Sequence, residues 1–452
     1  MESPLSTPPI EQSSAQRRVV RTLSVSQLLS GIGNGASLAV GSLLAVEVTG
    51  SEAFAGAATL AISVAGAVSA LPLASFAVQR GRRRSLNLGY SLAALGAVGM
   101  IFTPPTQSFV LLMVSAFLLG VGNAANLQAR FAATDLALPQ HRARDLGLVV
   151  WAITIGAVTG PNLIGPGAAV GAFLGLPDMS GPFVFSLLGM IAAIIVLNVG
   201  LRPDPLLYAR DLRDAQSGSE SDDAVESSQP PQRRSSLKDG LLALKHLPDA
   251  RLGIGVIVAA HLTMVGIMSM TPVHVQHLSV QEHAMHGADA NASGSQLDTL
   301  VVIGFIISLH IAGMFALSPV FGMLADRWGR KKTMFLAQAV FVLCAVTAVF
   351  GRDSEAAITV ALVLLGLAWS LATVAGSAFV SESVTEESRV PVQGLSDTMM
   401  GVAGAAGSGL AGLVLATWGF GGLAWIGLGI AAAVALWILS SQRDRTKQAV
   451  TA

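Results

Sequence analysis

Two pairs of side chains stand out for the chemistry their spacing allows. Met264 and Met268 lie four residues apart in one apolar run, and His310 and Met314 repeat that spacing in the next. Four residues is just over one helical turn, so each pair shares a helix face. Thioether and imidazole donors are polarisable and suit a soft cation such as Cu(I). The stretch between the runs reads as a polar loop and adds His274, His277, His283, Met285 and His286, while His261 lies one turn before Met264. Six of the eight histidines and five of the fourteen methionines fall between His261 and Met314. Methionine alone is a common core filler, so the sulfur spacing carries little by itself. His310 follows Ile306-Ile-Ser-Leu and lies about ten residues into its run, near mid-membrane, where an ionisable group needs a partner or a task.

The elements that must hold these residues are membrane helices. The chain has 452 residues, 52% hydrophobic and only 12% charged, about half the charge of a soluble domain. Apolar runs of around 20 residues, the length that crosses a bilayer, recur twelve times and predict an all-α, polytopic protein. The spans are expected near 23–46, 54–77, 86–102, 109–133, 146–171 and 183–201. The second set is expected near 252–271, 300–324, 334–350, 356–380, 392–418 and 422–439. Cys344 lies inside a run and reads as a small packing residue.

Arginine and lysine mark one side of the membrane. Arg80, Arg82, Arg83 and Arg84 follow the second span, Arg142 and Arg144 the fourth, Arg327, Arg330, Lys331 and Lys332 the eighth, and Arg389 the tenth. Only Arg352 falls on the opposite side, so both termini are expected in the cytoplasm and the protein in the cell (inner or plasma) membrane. The Ser-, Asp-, Pro- and Arg-rich stretch between 202 and 251 cannot bury a core and is expected to be a mostly disordered linker. The expected organisation is a disordered tail at 1–20, a six-helix bundle at 21–201 and the linker at 202–251. A second bundle at 252–440 and a C-terminal tail at 441–452 complete it. The halves repeat: Gly81-Arg82-Arg83-Arg84 occupies the place of Gly329-Arg330-Lys331-Lys332.

The run Gly322-Met-Leu-Ala-Asp326-Arg327-Trp-Gly329-Arg330-Lys331-Lys332 closely resembles the loop signature G-x-L-x-D-R-x-G-R-[RK]-[RK] of the major facilitator superfamily. An internal six-span repeat across a long central loop is similar to that family's layout. The resemblance covers the chain from the first span to the last and implies twelve helices in two pseudo-symmetric bundles, working by alternating access. It also implies that Asp326, Arg327, Gly329 and Arg330 form a conformational latch. Asp326 would hold the N-terminus of the fifth span, near Asp145 to Leu148, in the outward-facing state, as a carboxylate at a positive helix end. The first-half copy departs from the signature, with Val78 and Gln79 in place of the Asp and Arg. Within the superfamily, M-x-x-x-M followed by H-x-x-x-M in the next span resembles the CcoA-type copper importers. That resemblance implies Met264, Met268, His310 and Met314 as metal ligands, with His261 able to contribute, and copper as cargo.

Other signals leave a second reading open. Gly156-Ala-Val-Thr-Gly160-Pro161 resembles the G-x-x-x-G-P motif of drug–proton antiporters, and close helix packing explains it equally. Glu47, Arg130, Asp135, Glu382 and Asp397 are ionisable but fall near expected span ends, within reach of water. The expected function is therefore copper import, with proton-coupled efflux of small organic compounds as the alternative. A non-transporting sensor is disfavoured by the intact latch signature. The sequence carries no nucleotide loop, nucleophile motif or zinc-ligand spacing, so no enzyme activity and no cofactor are expected. The expected partners are a small-molecule or metal-ion substrate and the lipid bilayer, not nucleic acid, and the chain is expected to act as a monomer.

Overall fold

A computed structural model describes residues 10–137, 142–217, 241–242, 244–245, 247–285 and 293–451. They are helical almost throughout. The first half contains α1 (Ile10–Thr49), α2 (Ala57–Arg80), α3 (Arg82–Thr106), α4 (Phe109–Ala132), α5 (Arg142–Asn162), α6 (Ile164–Phe173) and α7 (Gly181–Gly200). After α8 (Pro205–Ser217), the second half contains α9 (Pro248–Met285), α10 (Ser293–Phe315) and α11 (Ser318–Trp328). It closes with α12 (Arg330–Phe350), α13 (Glu355–Glu382) and α14 (Glu386–Thr451). Among the described residues nine helical stretches are long and apolar enough to cross a bilayer, or ten when α5 and α6, bent by 56°, count as one span.

Two of these helices carry a change of direction. The helix α14 breaks at Gly419, whose φ of 68° is open to glycine at no steric cost. Before the break α14 runs parallel to α9, with Gly404 beside His261 and Gly407 beside Gly266, and just past the break Phe420 stacks on His274. After it the chain returns, with Gly427 beside Thr263 and Trp437 beside Gly255. The α5–α6 bend follows Pro161, which cannot donate to the helix ladder. On α5, Gly156 and Gly160 sit against Gly31 and Gly35 of α1, where a Cβ would strike backbone. Close helix packing is thus an observed use of the G-x-x-x-G-P stretch.

Several expected boundaries differ. Residues 10–20, expected as part of a disordered tail, open α1, with Gln16 and Val19 buried against the first bundle. Gln16 reaches the Ala133 carbonyl and Asp145, a tertiary reward that local composition cannot reveal. The last turns of α14 occupy most of the expected C-terminal tail. Within the expected linker, 205–217 fold as α8 and α9 already begins at Pro248, while 218–240 lie outside the described residues. His274 and His277, expected in a loop, are on α9, which continues to Met285. His286 lies outside the described residues.

Each half packs on itself, α1 with α5 and α7 in one, and α13 with α9, α10 and α12 in the other. The halves meet where α2 lies along α14 and α5 along α10. Ala53 and Gly56 press on Gly412 and Ser408, and further along a Cβ on Gly401 would fall 3.6 Å from the Ala67 Cβ. On the second seam Val301 meets Gly165, Gly304 meets Pro161, and Asn162 Nδ2 donates to Ser308 Oγ at 2.6 Å. These contacts run from the end opposite the termini to mid-helix. Nearer the termini, a Cβ on Gly147 of α5 or Gly394 of α14 would meet nothing within 4 Å. The helix α11 packs on α12 and α13 of its own half. The tight backbone contacts between the halves thus lie on the side away from the termini, and on the other side a side-chain ion pair, Arg130 to Asp397 at 3.8 Å, bridges them.

Candidate functional site

The helix α13 is the element on which both chemical pairs converge. His310 of α10 is fully buried, and its Nδ1 donates to the Leu362 carbonyl of α13 at 2.8 Å. Its Nε2 is buried without a hydrogen-bond partner among the described residues. One turn on, the Met314 backbone rests against Gly366, where a Cβ would collide with the His310 carbonyl. Met314 is 9% exposed, Met264 4% and Met268 9%. On α9, Ile257 packs against Gly376 of α13, and 264 and 268 share its helical stripe. Both pairs therefore turn toward α13, with that helix between them. Among the described residues no cluster of three or more His, Cys, Asp or Glu is formed, so any metal held here would depend on thioethers.

His261 behaves differently. It is half-buried, and its Nδ1 accepts a hydrogen bond from Trp369 Nε1 of α13 at 3.1 Å. Accepting at Nδ1 leaves Nε2 as the protonated, donating nitrogen of the neutral ring. That Nε2 lies 3.2 Å from the point a Gly404 Cβ would occupy, and Ser63 Oγ of α2 lies 3.7 Å from the same point. His261 thus stands at the seam between the halves. Phe315 meets Trp369 edge-to-face, with centroids 5.9 Å apart. Three rings from α9, α10 and α13 make one half-buried cluster.

The first half presents a polar counterpart. Asn126 Oδ1 of α4 accepts from Ser30 Oγ and Tyr90 OH, both at 2.8 Å, while Gln27 Nε2 donates to the Asn126 carbonyl at 2.8 Å. On the adjacent stripe of α4, Asn123, Leu127 and Arg130 recur at helical spacing. Arg130 meets Asp397 of α14 at 3.8 Å, an ion pair across the seam on the side of the termini. Trp369, Phe315, Gln27 and Asn126 were not singled out from the sequence. The polar ones had a signal, since an amide in mid-span demands a partner; the aromatic ones had none.

The expected latch is open. Asp326 pairs with Arg330 one turn on, and Arg330 also reaches Glu382 of α13 at 2.8 Å. Lys331 meets Asp249 at the start of α9 at 3.3 Å. The expected partner, the N-terminus of α5, is occupied within its own half, where Asp145 accepts from Gln16 at 2.6 Å. Arg327 lies in the last turn of α11, and Gly329 opens α12 with φ of 93°.

The profile of the Major Facilitator Superfamily matches residues 23–294 and 287–451, together nearly the whole chain. The chain belongs to the major facilitator superfamily. An uncharacterized transporter of that type from Bacillus subtilis (strain 168), YddS, is 36% identical over 90% of this chain and 87% of its own. The riboflavin transporter RfnT of Brucella anthropi is 24% identical over 93% and 94%. Among solved structures, the nucleoside transporter NupG superposes with a TM-score of 0.68 at 14% identity, covering 93% of this chain and 98% of that one. That likeness speaks for the fold. Membership in a transporter superfamily makes this a multi-pass membrane transporter with a small-molecule substrate; the relatives do not support the copper-importer branch.

Proposed function

We propose that this protein moves a small organic solute bearing a planar ring across the membrane by alternating access, through twelve crossings with both termini in the cytoplasm. The observation that carries this reading is the half-buried cluster of His261, Phe315 and Trp369 at the seam of the halves. Aromatic walls favour a flat apolar body, and the His261 Nε2–H offers a directed donor to an acceptor on its edge. The riboflavin transporter among the relatives supports the same substrate class. The arginine-rich side is then cytoplasmic. The test is transport of labelled riboflavin and other planar heteroaromatic solutes by cells with and without the protein. Trp369→Ala should abolish transport of whichever solute is carried while the protein still reaches the membrane. Normal transport by Trp369→Ala would refute the assignment.

A second reading rests on His310. A metal-bound histidine usually donates its other ring nitrogen to a carbonyl, as His310 Nδ1 does to Leu362. Its unpartnered Nε2, with Met314 one turn on along the same helix and Met264 and Met268 buried on the far side of α13, supports Cu(I) as cargo. Cellular copper measured with His310→Ala and Met264→Leu separates the readings. Both changes abolish copper accumulation if copper is carried, because neither substitute keeps a soft donor. If copper is unchanged while solute transport is altered, the copper reading falls.

A further inference from the structure

We infer that His277 and Glu52 form a proton-binding gate at the end of the molecule opposite the termini. Glu52 lies in the short 3-10 turn Glu52–Phe54 after α1, in the first half, and His277 lies on α9, in the second. His277 Nε2 stands 3.3 Å from Glu52 Oε1, so the pair spans the seam. It sits where the halves are most closely joined. Beside it, Ala53 and Gly56 press on Gly412 and Ser408, and a Cβ on Gly412 would fall 2.5 Å from the Ala53 carbonyl. Opening this end for alternating access requires the pair to separate.

The attraction depends on the charge of the imidazole. Imidazole is the side chain whose ordinary charge change falls near neutral pH. With His277 neutral, the pair is a hydrogen bond; with it protonated, an ion pair. Acid therefore favours the closed end, and the preference fades as pH rises. Neighbouring charges come from several elements. Glu47 ends α1 and is held by Gln107, while Arg352 and Asp353 occupy the α12–α13 connection. Glu355 opens α13 and accepts from Ser279, and Asp298 lies early in α10. His274, one turn before His277, is tied elsewhere. Its Nε2 meets the Arg352 carbonyl at 2.8 Å, and its ring stacks on Phe420 with centroids 4.2 Å apart. Both partners belong to the second half, so His274 braces that half, whereas His277 reaches across.

The gate is exposed, with side chains 45% and 34% accessible, so a modest bias is expected. Spin labels at Ser51→Cys and Gln281→Cys, in full-length Cys344→Ala protein in detergent, would report the width of this end by pulsed distance measurement. From about pH 8 to about pH 5 the closed-to-open ratio should rise roughly two- to fivefold. His277→Gln and Glu52→Gln should each remove the pH response. His277→Lys, charged throughout, should hold the closed ratio at both pH values. His274→Gln should keep the response, since its contacts do not cross the seam. A pH-independent width in the parent, or a response that survives both His277→Gln and Glu52→Gln, would overturn the inference. Identical substrate binding in all these variants would leave the reading of the ring cluster intact, so the two ideas fail separately.

Discussion

The turns joining α2 to α3 and α11 to α12 occupy equivalent places in the repeat, and they are built alike up to one carboxylate. Each turns on a glycine with positive φ, Gly81 at 89° and Gly329 at 93°. Each sends its first arginine to the end of the next helix, Arg82 to Asp135 and Arg330 to Glu382, both at 2.8 Å. In the first half the signature carboxylate is missing, and Asp204, after α7, stands in at the turn. It accepts from the backbone N–H groups of Arg82 and Arg83 at 3.1 and 2.8 Å, capping α3. It also accepts from Leu206 N at 3.1 Å, at the start of α8. Arg210 of α8 then donates to the Val78 carbonyl at 2.9 Å. In the second half, the turn around Gly329 is open and Asp326 pairs only one turn away. The same scaffold is therefore locked in one half and left free to engage the other half in the second. The asymmetry fits one moving latch rather than two.

Substituting the glycines should separate the turns most strongly. Gly81→Ala places a Cβ 2.5 Å from the Asp204 carboxylate, and Gly329→Ala places one in open space. Both incur the conformational cost of a glycine-only region, about 1–3 kcal/mol. Gly81→Ala should lose roughly 0.5–2 kcal/mol more with the cap. Thermal unfolding in detergent would show this, and equal losses in the two variants would mean that Asp204 does not hold its turn.

A smaller difference is expected between the arginine bridges. The Arg82–Asp135 side chains are 15% and 11% exposed, against 21% and 55% for Arg330–Glu382. Asp135→Asn should cost about 1–3 kcal/mol, the scale for weakening hydrogen bonds to a mostly buried charge. Glu382→Gln, largely in solvent, should cost roughly 0–1 kcal/mol. A Glu382→Gln variant that melts as early as Asp135→Asn would place the halves' rigidity elsewhere.

Stability should respond least at Asp326, whose side chain is 64% exposed and paired, among the described residues, with Arg330. Asp326→Asn should leave unfolding within about 0.5 kcal/mol of the parent, as a surface change does. Transport should nonetheless fall several-fold, because helix-end contacts of about 0.3–2 kcal/mol shift a two-state balance by that much. Normal transport by this variant would show that the carboxylate is not the latch. Asp204→Ala should do the reverse, lowering the unfolding temperature with less effect on rate.

Much of this was legible in the sequence because bilayer physics is local. Apolar run length, the arginine and lysine count of each loop and the run from Gly322 to Lys332 are properties of neighbouring residues, and all speak for the superfamily's all-helical fold. The helical start at Ile10, the helix α8 and the cap by Asp204 depend on contacts with residues over a hundred positions away. No local pattern announces them. The candidate site was half legible. His310 was marked by an imidazole in an apolar run, but its dependence on Leu362 of α13 needed the packing. His261 entered only as a supplement to the methionines, yet it stands at the seam with Trp369. Trp369 looks in sequence like any aromatic in a membrane helix, and only the placement of α9 and α10 around it sets it apart.

If the halves rock about their seam, the end nearer the termini closes and brings Asp326 to the N-terminus of α5. The direct test is a pulsed distance measurement between spin labels at Leu148→Cys on α5 and Met323→Cys on α11, both exposed, in Cys344→Ala protein reconstituted in lipid. Two populations are expected, a long distance for the open form and a short one for the closed form, with the short one depleted in Asp326→Asn. A single distance, unchanged by Asp326→Asn and by transported solute, would contradict it.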